Sequence, residues 1–572
     1  MRLKAPGSDS VLLRLYTHEA GERLLGPDTA ENGSYAWHFS APDDDCVLWY
    51  FFVVSMNGST CCYGREGGKN GNTGRIYHQG ETPESFQMTV YHPFSVPDWY
   101  KEGIVYQIFP DRFRRGGSTF KAARERAEKA SQRSGTACQC EGQAPGSVYD
   151  PQTGRVYEDW NTLPYYIKNE DGSIKHWNFW GGDLAGIEEK LEYIKSLGAS
   201  IIYLNPIFEA RSNHRYDTSD YFKIDPMLGT EEDFKRLCRK AAELGIRIIL
   251  DGVFNHTGID SKYYRKHPEW YLKDADGGIK CWWGVKDLPE LNELNSEYSE
   301  LICGENGVLR RWLRAGASGW RLDVADELPN EFLMKIRSAV KAEGVDKVLI
   351  GEVWEDASNK FDYGARMRFL GGLELDSVMN YPLRDDILDY MAGRIGSAEF
   401  AARQTERMQN YPQQAWMGCF NMLGSHDRER ILTMLGSPEA VKFAASLLYS
   451  MPGVPVIYYG DEALLEGGMD PDNRRTFPWE DMQPENAYVN VPNCSTAKEH
   501  NYSSAAKDSM TEHFRMLGRL RNGSDALKKG SFTAFEGENG TLVVRRVFGA
   551  ETVDFCFDRA TLTWKYDIKK AE

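Results

Sequence analysis

The segment TEEDFKRLCRKAAELGIRIILDGVFNH, residues 230–256, holds one complete helix-then-strand unit. Thr230 can cap a helix through its hydroxyl, and Glu231, Glu232 and Asp233 suit the positive end of a helix dipole. A helix is therefore predicted from Thr230 to Leu244. After it, Arg247-Ile248-Ile249-Leu250 is a short apolar run rich in β-branched residues, the pattern of a buried strand. The run stops abruptly in Asp251, with Asn255 and His256 just beyond.

The same unit recurs on both sides. A helix over Gly186 to Leu197 leads to the strand Ile201-Ile202-Tyr203-Leu204. Helix 305–316 leads to Gly319-Trp320-Arg321-Leu322, and helix 330–342 to Val348-Leu349-Ile350. Further strands are expected at 104–109, 418–423 and 454–459, and an eighth near 376–379. Strands alternating with helices in this way predict a parallel sheet closed by helices, and eight of them predict a (β/α)8 TIM barrel.

Two segments interrupt the series. Residues 114–178 are rich in Gly, Ser and charge, with basic helical character at 120–133, and no role follows from their sequence. Residues 257–298 form a long loop after the third strand, carrying Trp270, Trp282 and Trp283; a loop of that length is usually functional. Before the barrel, residues 1–97 show short aromatic and β-branched runs (11–16, 35–39, 47–54, 86–91) separated by turn residues, which suggests an N-terminal β-sandwich. After it, 526–572 returns to strand signals at 531–535, 541–544 and 552–555, a short C-terminal β-domain. The division expected is thus 1–97, 98–525 and 526–572.

The 572 residues carry a formal net charge of −16. Such a chain would be repelled by nucleic acid and by anionic membranes, so neither is an expected partner. No apolar run is long enough for a signal peptide or a membrane span, which predicts a cytoplasmic protein. Eleven cysteines, an odd number spread over the chain, fit reduced thiols. Cys61-Cys62 and Cys138-x-Cys140 lack a second ligand pair to complete a zinc site. Aromatic residues reach 12%, part of them core and part available to stack on sugar rings.

In such a barrel the active site forms where strands end. Four strands end in acids here: Asp251, Asp323, Glu352, and Asp427 after His426, while the first contributes Gln107 and Asp111. A single such acid is more often a helix cap or a loop residue; four at equivalent positions, with His256 and His426 beside them, indicate a catalytic cluster. Arg321 lies two residues before Asp323 and so on the same strand face, where it can keep that carboxylate charged. Paired carboxylates are what glycosidic cleavage needs.

These stretches resemble the α-amylase family of glycoside hydrolases, in particular its neopullulanase, cyclomaltodextrinase and maltogenic amylase branch. The match runs in family order through Val105–Phe113, Asn213–Thr218, Asp251–His256, Gly319–Val324, Gly351–Trp354, Gly424–Asp427 and Gly453–Glu462. The N-terminal β-region is similar to the starch-binding-like sandwich of that branch. The resemblance implies a retaining α-glucan hydrolase acting on maltooligosaccharides, cyclodextrins or pullulan through α-1,4 and, as an option, α-1,6 bonds. It makes Asp323 the nucleophile, Glu352 the acid/base and Asp427 the transition-state stabiliser. His256, Arg321 and His426 would bind the sugar at the cleaved end. Tyr216, with His214 beside it, would lie under that sugar, Asp251 would support the cluster, and Trp354 would stand on the leaving side. Asp470 and Arg474 would grip the next sugar; from the residues alone they read as a surface salt bridge, and Trp354 and Tyr216 equally as core.

Departures from the family pattern are also present. Ala325-Asp326-Glu327 stands where the branch has Ala-Asn-Glu, and Glu290 replaces a lysine in Leu288-Pro-Glu-Leu-Asn292. No cofactor is required. The calcium loop of many relatives is missing after the first strand, and only Gly181 and Asp183 match the second half of that structural calcium site. A homodimer through the sandwich is an expectation from relatives. A transglycosylase or isomerase on the same three carboxylates is the alternative; a non-enzymatic glucan-binding barrel would be expected to have lost one of them.

Overall fold

The computed structural model of the protein describes residues 1–67, 71–133, 143–362, 364–482 and 502–571. Its centre is an eight-stranded parallel sheet. In chain order the barrel strands are Val105–Ile108, Ile201–Leu204, Arg247–Gly252, Gly319–Leu322, Val348–Gly351, Ser377–Val378, Phe420–Asn421 and Val454–Tyr458. Each pairs with the next, and the eighth pairs with the first. A parallel bridge between Met379 and Phe420 joins the sixth to the seventh, so the sheet closes as a (β/α)8 barrel.

Side chains alternate as strand geometry requires. Ile201, Tyr203, Ile249, Val348, Ile350 and Val456 face inward and pack with Phe420 and Met422 in one cluster. Ile202, Leu204, Ile248, Leu250, Trp320, Leu322 and Leu349 face outward into the layer of surrounding helices. This alternation puts Arg321, between Trp320 and Leu322, inside the barrel.

The opening unit forms as predicted, with a helix over Glu231–Glu243. Thr230 accepts from Asp233 N–H while the Asp233 side chain accepts from Thr230 N–H, a reciprocal cap. The helix expected at 186–197 is two helices, Leu184–Glu189 and Leu191–Ser196, separated at Lys190. That at 305–316 shortens to Val308–Arg314, because Gly304 and Gly307 precede it and Gly316, at φ +126°, ends it.

At the N-terminus, a three-stranded sheet (Arg2–Lys4, Thr29–Glu31, Ser34–Ala36) accompanies a sheet centred on Cys46–Met56. Val11, Leu13, Leu15, Tyr35, Trp37, Phe52 and Val54 fill the space between. The strand expected at 35–39 stops at Ala36; Trp37 instead buries its ring and donates its indole N–H to Leu25 O at 3.0 Å. At the other end four strands, Ser531–Glu536, Leu542–Phe548, Glu551–Asp558 and Thr563–Lys570, form an antiparallel sheet, one strand more than its sequence signals indicated.

The segment 114–178 folds as a helix, Thr119–Arg133, beside a small sheet of Val148–Asp150, Arg155–Tyr157, Ile167–Lys168 and Ile174–Phe179. The loop 257–298 carries short helices and isolated bridges rather than long regular elements. Cys61 and Cys62 are free thiols on one strand, and Cys138 and Cys140 lie outside the described residues.

Candidate active site

A cleft of about 910 Å³ opens at the C-terminal ends of the barrel strands. Asp323, Glu352 and Asp427 all face it, with His214, Tyr216, His256, Trp354, His426, Asp470 and Arg474. Asp251 and Arg321 do not reach its surface; they lie beneath it. Arg321 Nη1 donates to Asp251 Oδ1 at 2.7 Å and to Asp323 Oδ1 at 2.9 Å, and its Nη2 stands 2.8 Å from Glu352 Oε2. One buried guanidinium therefore organises three carboxylates.

Glu352 is fixed a second time, accepting the Val324 backbone N–H at 2.8 Å. Val324 has φ +48°, a left-handed conformation costly for a β-branched residue and typical of strain retained at a functional site. Burial pushes Asp323 well above the usual carboxylate range, opposed by Arg321 and reinforced by the charge of Glu352. Burial, and then Glu352, push Asp427 up to about 7. Burial and neighbouring negative charge thus act in the same direction on Asp323 and Asp427, and the Arg321 guanidinium acts against them on both.

Tyr216 and His426 form a second layer. The Tyr216 hydroxyl donates to Asp251 Oδ2 at 2.8 Å and meets His426 Nε2, while Gln107 Nε2 lies 3.0 Å from His426 Nδ1. His214 Nδ1 accepts Tyr216 N–H at 3.0 Å. Burial keeps all three cleft histidines neutral, pushing His256 down to about 3 and His214 and His426 well below the ordinary value, with Arg474 adding to the effect on the last two. His256 Nε2 has no hydrogen-bond partner among the described residues and lies in the cleft wall.

Asp470 and Arg474 are not a surface pair. Arg474 is 7% exposed; its Nη1 meets Asp470 Oδ1 at 2.8 Å, its Nε donates to His426 O, and its Nη2 lies 3.6 Å from Asp427. Trp354 lines the cleft, with Tyr381 stacked 4.1 Å behind it and the Arg428 guanidinium 4.3 Å from its ring.

Several expectations are corrected. Asp111 is buried away from the cleft, pairing with Arg112 and accepting the Trp180 and Gly181 N–H groups. Trp270 is core: His267 stacks on it at 4.0 Å and Glu297 accepts its indole N–H. Those contacts with Trp270, and the 3.1 Å approach of Glu269 to His267 Nδ1, account for the grouping of His267, Glu269 and Glu297, which among the described residues bring three potential ligand atoms together. Gly181 and Asp183 do not fit a calcium site. The Asp183 carboxylate takes three backbone N–H groups, from Gly116, Gly117 and Gly186, and donors converging on both oxygens disfavour a cation there. Glu290 is neutralised by Lys280 at 2.5 Å and does not line the cleft.

Sequence reasoning missed other wall residues. The 114–178 segment sends in Tyr166, which donates to the Asp470 carboxylate, and Trp177, which packs edge-on against His214. Asp326 lines the cleft with Lys360 at 3.2 Å, and burial pushes its carboxyl up to about 6. The Glu327 carboxylate accepts both the Trp282 indole at 3.2 Å and that of Trp283 at 2.8 Å. Trp282 in turn stacks on His256 at 4.9 Å. The adjacent tryptophans were visible in the sequence; the carboxylate that aims them was not.

A closed (β/α)8 barrel whose strand ends gather carboxylates on one arginine, under an aromatic-walled cleft, defines the class of protein. The chain belongs to the α-amylase family: the α-amylase catalytic-domain model matches residues 107–277 and 267–530. It is 34% identical over 574 residues to an amylopullulanase of Thermoanaerobacterium thermosulfurigenes, covering 88% of this chain and 28% of that protein. It is 32% identical over 540 residues to a cyclomaltodextrinase of Geobacillus thermopakistaniensis, covering 90% of this chain and 78% of that one. The chain spans between 28% and 40% of the length of the amylopullulanases it matches. Among solved structures, the cyclic α-maltosyl-(1→6)-maltose hydrolase of Arthrobacter globiformis superposes with TM-score 0.66 at 28% identity, over 83% of this chain and 100% of that one. The type III pullulan hydrolase of Thermococcus kodakarensis gives 0.65 at 26%, over 98% and 90%.

Proposed function

We propose that the protein is a retaining α-glucan hydrolase that cleaves α-1,4 and, secondarily, α-1,6 glucosidic bonds of maltooligosaccharides, cyclodextrins or pullulan. The observation that carries this reading is the sharing of Arg321 by Asp323 and Glu352. One guanidinium contacts both carboxylates at the cleft floor, at 2.9 Å to Asp323 and 2.8 Å to Glu352, and so supplies the pair of acids that double displacement uses. Asp323 attacks the anomeric carbon and forms a glycosyl-enzyme. Glu352 protonates the departing oxygen and then deprotonates the incoming water. Asp427, across the cleft beside His426 and Arg474, stabilises the charge developing on the sugar.

His256, His426, His214 and Arg474 offer neutral and cationic hydrogen-bonding groups to sugar hydroxyls, and Tyr216 and Trp354 offer faces. The relatives' names (amylopullulanase, cyclomaltodextrinase, neopullulanase) support an α-glucan substrate. A homodimer through the N-terminal sandwich belongs to the same reading, supported by exposed Leu12, Leu24 and Ile76 on its larger sheet, with sedimentation as its check. A cytoplasmic location is supported by the eight free cysteines among the described residues. No described helix is long and apolar enough to cross a membrane.

The test is product analysis on pullulan, β-cyclodextrin, starch and maltotriose. Panose from pullulan reports α-1,4 cleavage and maltotriose reports α-1,6 cleavage. Asp323→Asn and Glu352→Gln should each lower kcat by about a thousandfold or more. If both variants kept full turnover, the reading would fall.

A further inference from the structure

Trp177 has two sides. One faces the catalytic cleft; the other closes a separate cavity of about 530 Å³. The second cavity lies between the small sheet of the 114–178 segment, which supplies Thr153–Arg155 and Lys175, and the loops after the second and third barrel strands.

Its charge runs against that of the molecule. Arg155, Lys175, Arg211, Lys223, Lys262 and Arg265 line it against Glu209, Asp220 and Asp260, in a chain of formal charge −16. Two of the acids are paired with lysines, Lys223 lying 3.3 Å from Glu209 and Lys262 2.5 Å from Asp220, while Asp260 accepts from the Ser219 hydroxyl at 3.3 Å, so cations still outnumber acids in the lining. Arg155 is held over the Phe179 ring at 4.8 Å. Lys175, Arg211 and Arg265 make no ion pair among the described residues. Their field is felt nearby, since His176 is lowered by burial first and then by Lys175. Unpaired cations converging on a concave site suit an anion with several acceptor oxygens.

We propose that this cavity binds a phosphorylated sugar, with the phosphate on Arg211, Lys175 and Arg265 and the sugar ring against Trp177. The sugar half rests on the α-glucan reading of the neighbouring cleft; the phosphate half does not. Trp177 packs edge-on against His214 at 4.9 Å and Tyr166 at 5.8 Å, both cleft residues. A ligand that fixes Trp177 therefore alters substrate affinity, and substrate alters ligand affinity by the same factor.

Calorimetric titration of the full chain with glucose 1-phosphate, glucose 6-phosphate, inorganic phosphate and maltose tests this without using turnover. A sugar phosphate should bind saturably, about tenfold more tightly than inorganic phosphate, and less tightly as salt rises. Arg211→Glu and Lys175→Glu should each weaken it by about tenfold, while Lys235→Glu, a charge reversal on a remote helix, should not. Saturating sugar phosphate should also shift KM for maltotriose, and Arg211→Glu should abolish that shift. Absence of saturable binding, inorganic phosphate binding as tightly as both sugar phosphates, or maltose displacing the ligand with Arg211→Glu without effect would each overturn the proposal. Loss of the hydrolase reading would show instead in Asp323→Asn and leave the calorimetry unchanged.

Discussion

The floor of the catalytic cleft and its walls are built by different means. The floor residues sit on consecutive parallel strands. Asp251 and Arg321 are register partners, and Arg321 is in turn the partner of Ile350, two residues before Glu352. Backbone hydrogen bonds of the barrel thus set the Asp251–Arg321–Asp323–Glu352 arrangement before any side chain is considered. The walls are joined across long stretches of chain. Tyr166 reaches Asp470, 304 residues away, and Glu327 holds Trp282 and Trp283 from a different connection. A ladder can hold reacting groups to fractions of an ångström, whereas loops can change with the substrate they select. The contrast assigns rate to the floor and affinity to the walls.

Arg321→Met is the strongest way to break that contrast. It leaves Asp251, Asp323 and Glu352 buried without their shared cation, so kcat should fall by about a thousandfold or more, with a stability loss of about 3–5 kcal/mol. Retention of half the wild-type kcat would show that the floor is no more exacting than the walls. Glu327→Leu should act differently. It frees two indoles, one of which backs His256, and should raise KM for long glucans about tenfold while kcat stays within about twofold. Glu327→Gln should lie between, because its amide oxygen still accepts an indole N–H. Equal effects of Leu and Gln on KM would refute the role of those two hydrogen bonds. Tyr166→Phe is smaller again, a KM increase of about threefold from the loss of one donor to Asp470.

The same contrast explains what the sequence could tell. Floor residues were legible because each is a polar residue that stops an apolar strand, and the period of two placed Arg321 with Asp323. Wall residues lack such a signal. Trp270 and Trp282 are both tryptophans in one loop, yet one is core and the other faces the cleft; the choice depends on Glu297, 27 residues after Trp270, and on Glu327, beyond the loop altogether. Asp111 misled for the opposite reason: it follows a barrel strand as Asp323 and Glu352 do, but the chain turns there into Pro110–Phe113 and spends the carboxylate on backbone N–H groups. The 114–178 segment gave no functional signal at all, because Tyr166 and Trp177 gain their meaning only from Asp470 and His214.

The smallest expected effect concerns stability and lies behind the wall. Glu293, 6% exposed beside Glu290 and Glu327, is pushed up to about 8 by burial, with the Glu290 charge adding to it. Its folded value is above the unfolded one, so the native state holds a proton that the unfolded chain releases at lower pH. Stability is therefore fullest below the ordinary glutamate range, about 4.3. It declines as pH rises toward about 8, with a slope of up to about 1.4 kcal/mol per pH unit from this group, and is flat beyond. Glu293→Gln removes the titration. Its melting temperature relative to the parent should rise steadily from pH 5 to pH 8, read by calorimetry in matched buffers. Arg321→Met should leave that slope in place, since Arg321 pairs with the floor carboxylates and not with Glu293. A parallel offset of the Glu293→Gln and parent curves at all pH values would show that Glu293 titrates in the folded wall as it does in the unfolded chain, and would overturn this expectation.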